Sequence, residues 1–271
     1  MAYVTIKGKQ MFYEETGAGF PLLFGHSYLW DAAMWAPQVA ALAQQYRCIV
    51  PELWAHGRSD PLPDIPTSIE QLAEDYWAFT QVLGLKRFAV IGLSVGGMWG
   101  THLTLAHPEA VAALVMMDTH VGSEPPASQA RFFQMLDALE KAGRMVPPIA
   151  EASAPFFFAQ TTMDKGLAMV GEFKAHMMAM KPENVPSIVA LGRGIFGRNS
   201  VLERLGEIAA PTLVVVGEGD RSRPPHEAQD MAGRIPGARL EIVPEAGHIC
   251  TIEQPERVNA VLSGFLGAVL S

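Results

Sequence analysis

The sequence predicts an α/β chain: a mostly parallel, doubly wound sheet of eight strands with a helical cap inserted past its middle. Two observations carry this. Short apolar runs at 21–24, 48–50, 88–93, 112–117 and 212–216 are continuous rather than alternating, as in strands buried on both faces of a parallel sheet. Between them lie stretches of helical period, and strand, helix, strand in repetition means parallel strands joined by crossovers.

Taken in chain order, 4–6 and 11–15 predict an antiparallel hairpin at one edge of the sheet. A helix is expected over 34–45, and another over 68–83 with Ser68 as its N-cap. A third starts after Gly96 and ends at His107-Pro108, because a proline disfavours helical backbone in the residue before it. The rhythm then breaks: between 121 and 205 the chain has Pro-punctuated helical stretches and no convincing strand. That segment is expected to be the cap, leaving 1–120 and 206–271 as the core, with a last strand over 239–243. Cap residues Phe132, Phe133, Met135, Phe156, Phe157, Phe158, Met163, Met177, Met178 and Met180 are candidates for an apolar pocket or for plain packing. Such a cap suggests a medium-sized, uncharged substrate.

Bulk composition narrows the function classes. At 271 residues the chain can bury roughly 75% of its unfolded surface, so a large core needs no metal or disulfide staple. Hydrophobic residues at 49% and charged ones at 18% place it among globular proteins, away from disordered compositions. The net charge of −8, with no Lys/Arg run, argues against a nucleic-acid partner. Cys48 and Cys250 are the only cysteines, in no zinc pattern, and no HExxH pair occurs, so neither metal nor cofactor is expected. With no signal-peptide pattern at the N-terminus and no apolar run near the ~20 residues that span a bilayer, a cytoplasmic protein without a membrane partner is expected.

The chemistry centres on Gly92-Leu-Ser94-Val-Gly96, set between the 88–93 strand and a helix. This is the context in which a G-x-S-x-G nucleophile elbow works: the serine occupies a strained turn, and the helix presents its positive end to the reacting group. A serine hydroxyl is a weak nucleophile until a base takes its proton, so a histidine and an orienting carboxylate must follow. Gly217-Glu-Gly-Asp220 follows the strand at 212–216, and Ala246-Gly-His248 follows the strand at 239–243. For the acid, Glu218 in the same loop and Asp118 at the end of the 112–117 strand rival Asp220.

These motifs, with Phe24-Gly-His26-Ser-Tyr28, Ala55-His-Gly-Arg-Ser59 and the stretch from Gly247 to Glu256, resemble the α/β-hydrolase superfamily over almost the whole chain. Carboxylesterases, cofactor-free haloperoxidases and enol-lactonases are among the members it resembles. The resemblance implies an α/β-hydrolase fold, with Ser94 as nucleophile, His248 as general base and Asp220 as its orienting acid. It also implies an oxyanion hole built from the backbone N–H groups of Tyr28 and Val95. The implied substrate is a small or medium carboxylic ester, or a lactone or enol-lactone; a perhydrolase would use the same triad, and a receptor-like protein would keep the pocket without turnover. His26-Ser27 stands where most relatives have His-Gly, and Ala55 where a glycine is common. His26, Trp30 and Trp54, at the carboxyl ends of strands, are candidates for the pocket wall, and His26 also for a hydrogen bond that stabilises its own loop.

Overall fold

The computed structural model describes residues 1–270. Its sheet contains β1 (Ala2–Ile6), β2 (Lys9–Thr16), β3 (Phe20–Gly25), β4 (Tyr46–Pro51), β5 (Phe88–Leu93), β6 (Val111–Met117), β7 (Thr212–Gly217) and β8 (Arg239–Val243), in the order β1-β2-β4-β3-β5-β6-β7-β8. β1 and β2 form the antiparallel edge hairpin, β2 meets β4 antiparallel, and the remaining neighbours run parallel. Every residue of β5, β6 and β7 is buried, which is why these strands read as unbroken apolar runs. β8 lies at the open edge and exposes Arg239 and Leu240.

Ahead of the cap the helices are α1 (Ala36–Leu42), α2 (Ile69–Val82) and α3 (Val95–Ala106). Ser68 caps α2 as expected: its backbone is extended and its hydroxyl accepts from the Gln71 N–H at 3.2 Å. The helix expected over 34–45 is instead a tight turn, Ala32–Trp35, capped by the Asp31 carboxylate, followed by the short α1 with Pro37 in its first turn. Proline lacks the N–H that a continuous helix would need there. α3 begins directly after Ser94 rather than after Gly96.

Between β6 and β7 come α4 (Pro126–Ala142), α5 (Pro147–Ser153), α6 (Gln160–Asp164), α7 (Ala168–Met178) and α8 (Val185–Phe196), with no strand among them. After β7 follow α9 (Pro225–Arg234), α10 (Cys250–Glu253) and α11 (Pro255–Val269). α4 packs on α8, where the rings of Phe132 and Phe196 stack with centroids 4.0 Å apart. Long-range hydrogen bonds tie this segment to the core, among them Tyr28 Oη donating to the Ile188 carbonyl, Asn184 to the Ala55 carbonyl, and the Ile249 N–H to the Phe157 carbonyl. Among the described residues, no helix is long and apolar enough to cross a membrane.

Candidate active site

Ser94 sits where β5 turns into α3, with φ at 57°, in the left-handed region that side chains with a Cβ rarely adopt. Tight packing holds it there. A Cβ on Gly92 would lie 2.2 Å from the Gly96 carbonyl carbon, and one on Gly96 would lie 2.1 Å from the Gly25 carbonyl oxygen, so both flanking positions require glycine. The Ser94 N–H donates to the Met117 carbonyl at 2.8 Å, and its own carbonyl accepts from Thr119 Oγ1 at 2.6 Å. The end of β6 and the loop that follows it thus clamp the strained residue from both sides. Thr119 escaped the sequence reading because nothing in its local pattern points to a residue 25 positions away.

Asp220 and His248 meet at the ends of β7 and β8: His248 Nδ1 lies 2.8 Å from Asp220 Oδ2, and both side chains are buried. Asp220 Oδ1 accepts from the backbone N–H groups of Ser222 and Arg223 at 2.8 and 2.9 Å. The carboxylate is therefore held by three donors and presents one oxygen to the imidazole. Glu218 is exposed and lies away from His248. Asp118, fully buried, accepts instead from the Gly217 N–H at 2.7 Å and from the Cys250 thiol at 2.9 Å. Burial, with the charge of Asp220 nearby, pushes the Asp118 carboxyl well above its usual range, and burial beside Asp118 does the same to the Cys250 thiol. Cys250 is thus an inaccessible thiol rather than a reactive one.

Tyr28 lies in the turn after β3, and its N–H has no hydrogen-bond partner among the described residues. Val95 opens α3, where the first N–H groups of a helix have no intrahelical partner. Two neutral histidines brace the Tyr28 turn. His26 Nε2 accepts from the Leu53 N–H at 2.8 Å while its Nδ1 faces the Ser27 carbonyl; His56 Nε2 accepts from the Leu29 N–H at 3.0 Å while its Nδ1 faces the Trp54 carbonyl. Burial lowers His26 to about 4, and burial together with His26 lowers His56 to about 3, so both stay uncharged and keep one ring nitrogen as an acceptor. Ala55 adopts the left-handed conformation a glycine would take, with φ at 62°.

Ser94 and His248 open onto one cavity, walled by Ser27, Tyr28, Leu29, Met98 and side chains of the cap. Of the cap candidates, Phe132, Met135, Phe156 and Phe157 line it. Phe158 and Met177 are buried in the core, Phe133, Met163 and Met180 pack half-buried against it, and Met178 is exposed.

Three expected wall residues lie elsewhere. Trp30 stacks on Phe173 at 4.5 Å and meets Phe157 and Phe158 edge-on, so it joins turn to cap. Trp54 is fully buried, its Nε1 donating to Asp75 at 2.8 Å. His26 is fully buried and spends both nitrogens on backbone partners. In each case the partner that draws the side chain away is remote in sequence. The wall also contains Ser222 and Arg223, two and three residues past Asp220; their place in the acid loop was the available signal. Among the described residues, no group of three or more His, Cys, Asp or Glu could hold a metal ion.

Comparison with known proteins agrees with this architecture. The family model described as the α/β hydrolase fold matches residues 21–255. The chain is 28% identical to the provisionally named carbamate hydrolase RutD of Azorhizobium caulinodans, over 99% of each protein. Among solved structures, a thermophilic esterase from Thermogutta terrifontis superposes with a TM-score of 0.91 at 28% identity, over 100% of both chains. Est816, described as an N-acyl homoserine lactone degrading enzyme, superposes with a TM-score of 0.81 at 29% identity, over 97% of this chain and 100% of its own. With the matched model spanning most of the sheet, the elbow and the loops after β7 and β8, the chain belongs to the α/β-hydrolase family.

Proposed function

We propose that this protein is a serine hydrolase that cleaves a small or medium carboxylic ester through an acyl-serine intermediate. The observation that carries the reading is the 2.8 Å contact between His248 Nδ1 and Asp220, with His248 and the elbow serine on one cavity. In this mechanism Ser94 Oγ adds to the ester carbonyl carbon while His248 Nε2 takes its proton, and Asp220 stabilises the imidazolium. The carbonyl oxygen becomes an oxyanion between the N–H groups of Tyr28 and Val95. A donor of that kind is typically worth about 2.7 to 4 kcal/mol of transition-state stabilisation. As the carbonyl re-forms, the bond to the alcohol breaks and His248 hands its proton to the departing oxygen. Water then attacks the acyl-serine, His248 takes a proton from it, and the acid leaves with Ser94 restored.

A lactone uses the same steps, its leaving alcohol staying tethered to the acid; similarity to a lactone-degrading enzyme supports including lactones among the substrates. The working compartment in this reading is the cytoplasm, where thiols such as the free, buried Cys48 and Cys250 stay reduced. The test is incubation with a small organophosphonate, intact-mass and peptide analysis, Ser94→Ala as control, then a panel of esters and lactones. Labelling confined to Ser94 is expected. Folded protein that takes no label would end the acyl-serine reading and favour a ligand-binding role.

A further inference from the structure

Arg223 is the one arginine or lysine on the cavity wall, among side chains that are mostly apolar. Only 4% of its side chain is accessible. Its backbone N–H is fixed on Asp220, so the residue is held on the same loop as the triad carboxylate. Its Nη2 donates to Glu124, which also accepts from Arg198 at 2.9 Å. Its Nη1 stands 3.6 Å from Glu227, and neither Nη1 nor Nε makes a hydrogen bond among the described residues. A guanidinium carries five N–H donors, and leaving them unpaired in an apolar cavity is costly.

Two carboxylates, Glu124 and Glu227, stand beside the guanidiniums of Arg223 and Arg198. Burial raises Glu124, but Arg223 and Arg198 outweigh this and hold it below the usual carboxylate range, so it is one firm negative charge between two guanidiniums. Burial pushes Glu227 up, against the pull of the Arg223 and Arg198 guanidiniums. His120, near Glu227, is lowered to about 4 by burial with the help of Arg223 and Arg198, and adds no charge at neutral pH. Arg223 thus brings to the cavity wall a guanidinium with two nitrogens, Nη1 and Nε, that no hydrogen bond among the described residues occupies. A carboxylate matches the fork of a guanidinium and takes charge-assisted hydrogen bonds from it.

We infer that Arg223 is a carboxylate-recognising subsite of the cavity, so that the ester or lactone it takes carries a free carboxylate. This rests on the acyl-serine reading and sharpens it. The apolar cap alone suggests an uncharged substrate; Arg223 adds one cationic anchor to an otherwise apolar grip.

Two substrate series test it, with acid release followed by titration. One compares monobutyl esters of succinate, glutarate and adipate with butyl esters of neutral acids of matched length. The other compares acetate esters of hydroxy acids with those of matched neutral alcohols. The expected result is a preference of about 10- to 100-fold in kcat/KM for carboxylated members of one series, as hydrogen bonds to charged groups typically supply. The series that shows it tells whether the anchor lies on the acyl or the alcohol side. Arg223→Gln should erase the preference chiefly through KM, and Arg223→Lys should keep part of it. If the variants fail to fold, competitive inhibition of the wild type by adipate but not by hexanamide decides the matter. A wild type that cleaves neutral esters with no preference in either series, or a preference unchanged in folded Arg223→Gln, overturns the subsite alone. No hydrolysis in either series with Ser94 unlabelled overturns the acyl-serine reading beneath it.

Discussion

Replacing Asp220 by asparagine tests the assignment of the acid with little change of shape. Oδ1 of Asp220 accepts from two backbone N–H groups, of Ser222 and Arg223, while Oδ2 faces His248 Nδ1 at 2.8 Å. An asparagine must keep its oxygen on the two donors, because an NH₂ group there would confront them. Its NH₂ is then forced toward His248 and makes Nδ1 an acceptor. The ring proton moves to Nε2, and the nitrogen that should take the Ser94 proton is occupied. Where the same tautomer error has been imposed on such a triad, kcat falls by about 10⁴, or about 5.5 kcal/mol of barrier. The assay is ester hydrolysis at neutral pH, with a denaturant melt to show that folding is intact. Asp118→Asn is the control, since Asp118 bonds to Gly217 and Cys250 and not to His248; a loss below about tenfold is expected there. The reverse ranking, with Asp118→Asn the crippled enzyme, would refute the assignment of Asp220.

Three further outcomes are expected. Tyr28→Phe removes the hydroxyl donating to the Ile188 carbonyl at 2.7 Å and should cost about 1 kcal/mol of stability in a urea melt. In the proposed mechanism the oxyanion donor is the backbone N–H, so kcat should stay within about tenfold, and a larger fall would place the phenol itself in the chemistry. Gly96→Ala puts a methyl group 2.1 Å from the Gly25 carbonyl oxygen and should destabilise by about 1 to 3 kcal/mol or more while displacing Ser94; a thermal melt and phosphonate labelling rate together read both effects. His56 has a folded value near 3, below the ordinary imidazole value, so the unfolded chain gains a proton that the folded chain refuses as pH drops below about 6.5. Relative to His56→Gln, the wild type should therefore lose about 1.4 kcal/mol of stability per pH unit from about pH 6 downward, and parallel pH profiles would contradict the buried neutral histidine.

Local physics made much of this protein readable from its residues. Continuous apolar runs such as 88–93 and 112–117 mark strands covered on both faces, because no alternation is needed where neither face meets water. Gly92 and Ser94 announce the elbow because the demand on Gly92 comes from Gly96, four residues on, although Gly96 itself answers to the distant Gly25. Ser68 declares a helix start for the same reason, its cap bond reaching only three residues. Side chains whose partners are distant in the chain were another matter. Whether Glu218, Asp118 or Asp220 faces His248 depends on the course of two loops after two different strands, and only Asp220 is delivered there. Trp30, Trp54 and His26 were placed by position at the mouth of the site, yet Phe173, Asp75 and the Leu53 N–H draw them into packing and bracing roles. Arg223 became visible as a charged wall residue only once Glu124 and Arg198 had closed around it. The division follows from range: backbone form answers to neighbours a few residues away, whereas the partner of a buried polar side chain is chosen by tertiary packing that no local pattern encodes.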